Sequence, residues 1–118
     1  MSRERLQQMM TMLRGLPPEG EVAFNLETWN CGTSACAVGH ACLNPVFKDQ
    51  GLQWDSIIFD PAYDGSYGWQ AVERFFDISE GRAEHLFADW RYPTGGETTP
   101  DQVADRIEQF LKEAEVTA

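Results

Sequence analysis

The sequence lacks any hydrophobic run that could cross a membrane. No stretch approaches the roughly 18 consecutive apolar residues that a membrane-spanning helix needs. Its first residues include Glu4, Gln7 and Gln8 and contain no unbroken apolar stretch, whereas a secretory signal peptide requires one. We therefore expect a cytoplasmic protein with no membrane partner.

Basic residues are scarce, since nine Lys and Arg stand against 19 Asp and Glu, for a formal net charge of −10. Residues 51–78 hold five acids and one base, and residues 79–118 hold nine acids and four bases. Such a negative field repels phosphate backbones and acidic membranes, which argues against direct nucleic-acid binding. Two interpretations remain open: an acidic surface that keeps a monomer or weak homodimer dispersed, or one that docks on the basic surface of a protein partner.

Cysteine is limited to three residues, and the chain is short, with 118 residues. A chain of this length can bury a core without metal ions or disulfides but is too short for two ordinary domains. We expect one domain over residues 1–118. A disulfide is the least expected state for an odd number of cysteines in a cytoplasmic chain.

The spacing of apolar residues predicts five helices. They cover residues 2–15, 34–43 and 69–76, the segment after the N-cap residue Ser79, and about 100–115. The last helix has the strongest start signal, because Thr99-Pro100-Asp101-Gln102 combines an N-cap, a proline at the first helical position and a capping box. The inward-facing residues are Leu6, Met9, Met10, Leu13, Trp69, Val72, Phe75, Phe76, Ala83, Leu86, Phe87, Trp90, Val103, Ile107, Phe110 and Leu111.

Strand signals are weaker than helix signals. Residues 22–27 alternate and predict a short strand, and Ser56-Ile57-Ile58-Phe59 is the only strand candidate in the loop-like segment 48–68. Pro45 is predicted to end the second helix near Leu43. The expected fold is mainly α, a single compact domain of about five short helices with long loops and room for one small β-hairpin.

All three cysteines and one of the two histidines lie close together in the first half of the chain. If Thr33 caps the second helix, Cys36 lies in its first turn, where the dipole favours a thiolate, and His40 shares its face. Such a pair fits half of a metal site or an activated nucleophile. A zinc site would need Cys31 and distant His85 as well. Because the surrounding residues are small and apolar, burial in the core is the favoured interpretation, with zinc on Cys31, Cys36 and His40 as an alternative.

No sequence motif of catalysis is present: there is no glycine-rich phosphate loop, no nucleophile elbow and no paired-histidine zinc motif. Asp60 resembles the start of a calcium loop, but Ala62 and Ala71 occupy positions that require acids, so a turn is predicted there. Four aromatic residues near this turn are predicted to fold the loop onto the core, with an aromatic binding surface as the alternative. They are Trp54, Tyr63, Tyr67 and Trp69.

The sequence resembles a small bacterial and phage family of uncharacterised proteins. The resemblance rests on Phe24-Asn25-Leu26-Glu27-Thr28-Trp29 followed by Cys31-Gly32-Thr33-Ser34-Ala35-Cys36-Ala37-Val38-Gly39-His40-Ala41, which fits C-G-T-x-x-C-x-x-G-[HW]-A. Further matches are Ala71, Phe75-Phe76 and Leu86-Phe87. The resemblance implies no activity, and the family's tryptophan at the position of His40 argues against that histidine as a ligand or base.

The function that the sequence favours is a non-enzymatic protein–protein interaction module with an acidic surface contributed by residues 51–118. Candidate partner-binding residues lie on the exposed face of the last helix, at Asp101, Asp105 and Glu108. One alternative is an acidic nucleic-acid mimic, such as an anti-CRISPR protein of a phage. The other is a Cys/His metal-binding protein, and zinc is then the only cofactor implied.

Overall fold

The computed structural model describes residues 1–17, 22–30 and 34–117, with side chains through residue 114. Six α-helices carry most of the regular structure in this part of the chain, which confirms the mainly α prediction with one helix more than expected. They are α1 (Arg3–Gly15), α2 (Ala37–Leu43), α3 (Pro45–Lys48), α4 (Trp69–Phe76), α5 (Glu80–Phe87) and α6 (Pro100–Thr117). Two short 3-10 helices, Asp89–Arg91 and Gly95–Glu97, precede α6. None of the described helices is both long and apolar enough to cross a bilayer.

The described residues also form two small sheets, more β-structure than the single hairpin expected. Strands β1 (Ala23–Phe24) and β2 (Ser34–Ala35) pair in parallel, so β2 occupies the start of the predicted second helix. Strands β3 (Gln53–Asp55), β4 (Asp60–Tyr63) and β5 (Ser66–Tyr67) form an antiparallel sheet in that order.

The strand prediction at Ser56–Phe59 is wrong, because these residues form the turn between β3 and β4. The Asp55 carboxylate accepts hydrogen bonds from the backbone N–H groups of Ile57 and Ile58, at 2.9 and 3.2 Å. A side chain that satisfies the backbone locally in this way stabilises a turn and leaves those groups unavailable to a neighbouring strand. The same sheet corrects the prediction of a turn at Asp60, which lies in β4.

Local signals set the helix ends. Pro45 ends α2 as predicted, and it also begins α3, because the Asn44 side chain accepts the Val46 N–H at 2.9 Å and so caps a new helix. Ser79 caps α5 as predicted, with its hydroxyl accepting the Arg82 N–H at 3.2 Å.

The buried side chains form one continuous core, which α1, α2, α4, α5 and α6 share. Most residues of the predicted stripes are buried there, with Met10, Trp69 and Phe110 packed at its edge. Trp90 is the exception, since it lies beyond the end of α5 in a 3-10 helix and is 62% exposed. The most extensive packing between helices joins α1 to α6, so the two ends of the described chain close the core together.

Arg5 connects three elements around this core. Its guanidinium donates to the Phe75 carbonyl at 2.8 Å and to the Tyr63 hydroxyl at 3.2 Å, and it lies 4.3 Å from the Phe75 ring centroid. A planar guanidinium can make these contacts at once, whereas a lysine ammonium cannot. Arg5 therefore fixes the three-stranded sheet against α1 and α4.

Candidate interaction surface

The three acidic candidates of the last helix lie together around one basic residue. Arg14, at the end of α1, is 2.9 Å from the Asp105 carboxylate, 3.7 Å from Asp101 and 3.9 Å from Glu108. The hydrogen bond with Asp105 raises the pKa of Arg14. Lys112 approaches Glu108 within 3.6 Å. Asp101 and Asp105 are thus exposed, as predicted, whereas Glu108 is half-buried, and part of the charge of this face is already neutralised within the chain.

A groove of about 630 Å³ adjoins this face. Apolar side chains of α1, β1 and α2 line its wall, including Phe24 of β1 and Leu43 of α2, which is 45% exposed. The exposed acids Glu97 and Asp101 line the side of the groove formed by α6 and the segment before it. The structure therefore brings one acidic candidate, Asp101, next to an apolar depression.

His40 belongs to the same groove. Its ring stacks on Phe24 with centroids 5.9 Å apart, and its Nε2 lies 3.2 Å from the Ala23 carbonyl oxygen. Burial lowers the pKa of His40, so the ring is neutral at neutral pH and Nε2–H donates to that carbonyl. His40 thus supports the groove wall by joining α2 to β1.

Cys36 does not lie in the first turn of α2, because the helix begins at Ala37 and Cys36 is its N-cap. Its sulfur accepts a hydrogen bond from the Gly39 N–H at 3.4 Å, and the residue is 2% exposed. Burial raises the pKa of Cys36 to about 11 and that of Cys42 to about 12. The thiolate alternative depended on Thr33 as the cap and does not fit this helix start, since desolvation outweighs the backbone N–H groups there. The predicted burial is confirmed for Cys36 and Cys42.

The zinc interpretation stays a prediction, because Cys31 lies outside the described residues. Within the described ranges, no three His, Cys, Asp or Glu side chains are grouped so that they could hold a metal ion. His85, on α5, uses its backbone carbonyl to accept a hydrogen bond from Arg106 at 2.8 Å. Partial burial of the His85 ring lowers its pKa, and the positive charge of the nearby Arg106 lowers it further.

The four aromatic residues near the predicted turn at Asp60 divide between core and surface, with Trp54, Tyr63 and Trp69 packed against the core. Tyr63 packs edge-on against Phe75 with centroids 5.1 Å apart, as predicted for a loop folded onto the core. Trp69 lies between Trp29 and Trp90, with centroids at 4.9 and 5.9 Å. Tyr67 is 47% exposed on the sheet.

One surface feature was missed by the sequence analysis. The turn between β3 and β4 exposes three large apolar side chains in succession: Ile57 is 86% exposed, Ile58 47% and Phe59 66%. We call this segment, Ile57–Phe59, the hairpin tip. The signal that could have identified it is Asp55, since an aspartate two residues before the apolar run is typical of a side-chain-stabilised turn.

In comparisons with known proteins, no family model, no curated protein and no solved structure matches this chain.

Proposed function

We propose that this protein is a non-enzymatic interaction module that binds a basic, partly apolar segment of another protein. The observation that carries the proposal is the apolar groove of about 630 Å³ with Glu97 and Asp101 on one side. Apolar side chains of the partner would occupy the groove, and neighbouring lysines or arginines would meet Glu97 and, beside Arg14, Asp101. Recognition of this kind combines buried apolar area with charge complementarity at the rim.

The contacts of Arg14 favour this function over nucleic-acid mimicry. A mimic presents free carboxylates in place of phosphates, whereas Asp101, Asp105 and Glu108 all lie within 4 Å of the Arg14 guanidinium. The acidic face is therefore partly neutralised. The groove beside it offers an apolar binding surface, which a phosphate mimic does not need. Both features suit a protein ligand.

The experiment compares two exposed apolar residues that differ in position. Leu43, 45% exposed, lines the groove, and Val46, 48% exposed, does not. A tagged protein captures its partner from the native host, and binding kinetics are then measured with the purified partner. We expect Leu43→Lys to weaken binding at least about tenfold, equivalent to about 1.4 kcal/mol, and Val46→Lys to leave it unchanged.

Charge is tested with a second matched pair. Neutralising the groove acids with Glu97→Gln and Asp101→Asn should slow association and reduce its dependence on salt, because exposed charges act mainly on the association rate. Asp49→Asn, an exposed acid outside the groove, is the control. An association rate that changes neither with salt nor with the groove substitutions at Leu43, Glu97 and Asp101 would contradict the proposal. Unchanged melting temperatures of the variants would show that the fold is intact.

A further inference from the structure

The hairpin tip is a second exposed surface that shares no residue with the groove. Its apolar side chains contribute nothing to the core, since Ile57 and Phe59 are among the most exposed large hydrophobic residues described. Contiguous exposed apolar groups of this kind mark interaction sites more often than isolated ones.

The turn that presents the tip is held in one shape. Asp55 accepts hydrogen bonds from two backbone N–H groups of the turn, and its own carbonyl accepts the Phe59 N–H at 2.9 Å. Phe59 has a φ of +58°, a left-handed conformation that is strained for a bulky residue. Glycine would adopt it without strain. Phe59 is thus strained and 66% exposed, so that its side chain does not stabilise the fold of the isolated chain.

Negative charge accumulates at the base of the tip. Asp55 and Asp60 are directly opposed across β3 and β4, on the outer side of the sheet, since the next pair, Trp54 and Pro61, packs toward the core. Like charges in such a pair repel. Among the described residues neither carboxylate has an ion-pair partner. A positive group from outside the chain would relieve this repulsion.

We propose that the hairpin tip docks in an apolar pocket of a protein partner whose rim carries lysine or arginine. Ile57 and Phe59 would enter the pocket, and the rim would contact Asp55 and Asp60. A second copy of this chain fits poorly, because the net charge is −10 and both tips carry acids. An anionic lipid surface is disfavoured by the same acids.

The test places a photo-cross-linking amino acid at Ile58 of the full chain and irradiates it in extract of the native host. The cross-linked protein is identified by mass spectrometry and purified, and its affinity is measured for the wild type, Ile57→Ser, Phe59→Gly and the control Val46→Ser. We expect both tip variants to lose at least tenfold in affinity and Val46→Ser to lose none. Phe59→Gly should melt no lower than the wild type, because glycine relieves the strained turn.

The charged base of the tip has its own variant. Asp60→Asn should weaken binding of the cross-linked partner at low salt and make the affinity less salt-dependent. Leu43→Lys in the same assay separates the two surfaces. If the groove does not bind a partner, Leu43→Lys has no effect on affinity, and the tip variants still lose affinity.

Four results would overturn the proposal. The first is equal affinity of the tip variants and the wild type, and the second is a cross-linked product that consists of two copies of this chain. The third is sedimentation with phosphatidylcholine vesicles that depends on Phe59. The fourth is that irradiation yields no cross-linked protein that is absent from the unirradiated sample.

Discussion

At Gly39 helix α2 comes into contact with the backbone of the segment that precedes it. A Cβ atom at this position would lie 1.7 Å from the Trp29 carbonyl oxygen and 2.9 Å from the Ala35 Cβ. The glycine costs helix propensity, about 1 kcal/mol relative to alanine. The close approach explains why the helix accepts that cost, and it places His40, the next residue, against β1.

Gly39→Ala should therefore destabilise the protein by about 1–3 kcal/mol, because a backbone carbonyl cannot move aside as a flexible side chain can. Gly81→Ala is the control, since Gly81 lies in α5 with nothing within 4 Å of a Cβ there, and it should stabilise by about 0.5–1 kcal/mol. Chemical denaturation measures both changes. Equal effects of the two substitutions would show that the contact with Trp29 does not constrain α2.

Among the elements, α6 closes the core together with α1, the helix against which it packs most extensively. Val103, Ile107 and Leu111 are buried against the rest of the molecule, and an adjacent face carries the acids that meet Arg14 of α1. Its predicted capping box is present: the Thr99 hydroxyl accepts the Gln102 N–H at 3.2 Å, and the Gln102 side chain accepts the Thr99 N–H at 2.7 Å. The cap fixes the start of the helix, and so the position of Asp101 beside the groove.

Thr99→Ala should lower the free energy of unfolding by about 0.5–2 kcal/mol through loss of this cap. Thr11→Ala serves as the control, because the Thr11 hydroxyl is exposed within α1 and donates to the carbonyl of Gln7 in the same helix. That substitution should be neutral or slightly stabilising, since alanine has the higher helix propensity. Thermal melts measure the stability of the two variants. A Thr99→Ala protein as stable as the Thr11→Ala protein would show that the cap does not contribute to stability.

At the scale of the whole molecule, stability depends on pH through buried thiols. Folding raises the pKa of Cys42 from the ordinary value of 9.0 to about 12, and the first cause is burial. Between these values the unfolded chain releases the proton while the folded chain keeps it. The stabilisation is thus complete below pH 9 and is lost as the pH rises above it.

The free energy of unfolding should therefore fall above pH 9, with a contribution from Cys42 of about 1 kcal/mol per pH unit. Cys42→Ala removes this contribution, so urea unfolding of the variant and the wild type from pH 8 to 11 should show a smaller slope in the variant. Tyr92, whose pKa burial raises to about 12, affects both proteins equally and cancels in the comparison. Parallel pH profiles would show that Cys42 ionises as freely in the folded protein as in the unfolded one.

Several features could be predicted because they depend on neighbours in the sequence. Apolar spacing gave every described helix but α3, and the caps at Ser79 and Thr99 lie where their hydroxyls meet the first free N–H groups. The exposure of Asp101 and Asp105 follows from their positions away from the apolar stripe of α6, whereas Glu108, at the edge of that stripe, is half-buried. For the same reason the burial of Cys36 and Cys42 followed from the small apolar residues around them.

Other features required the folded chain. The 52–67 segment shows little alternation of apolar and polar residues. Its sheet forms because Trp54 and Tyr63 pack against the core and Arg5 donates a hydrogen bond to the Tyr63 hydroxyl. The start of α2 at Ala37 depends on the pairing of β1 with β2, which removes Ser34 and Ala35 from the helix.

The sequence by itself determined the helical class, the acidic character and the polarity of each helix face, because these depend on residues a few positions apart. Only the tertiary structure decided what the acids and apolar residues meet. It brought Arg14 to α6 from 91 positions away, placed Asp101 beside a groove with His40, and turned Ile57–Phe59 outward at a hairpin tip. Contacts between distant segments and the balance of burial against strain at each position are properties of the folded chain, since they arise only when the elements pack.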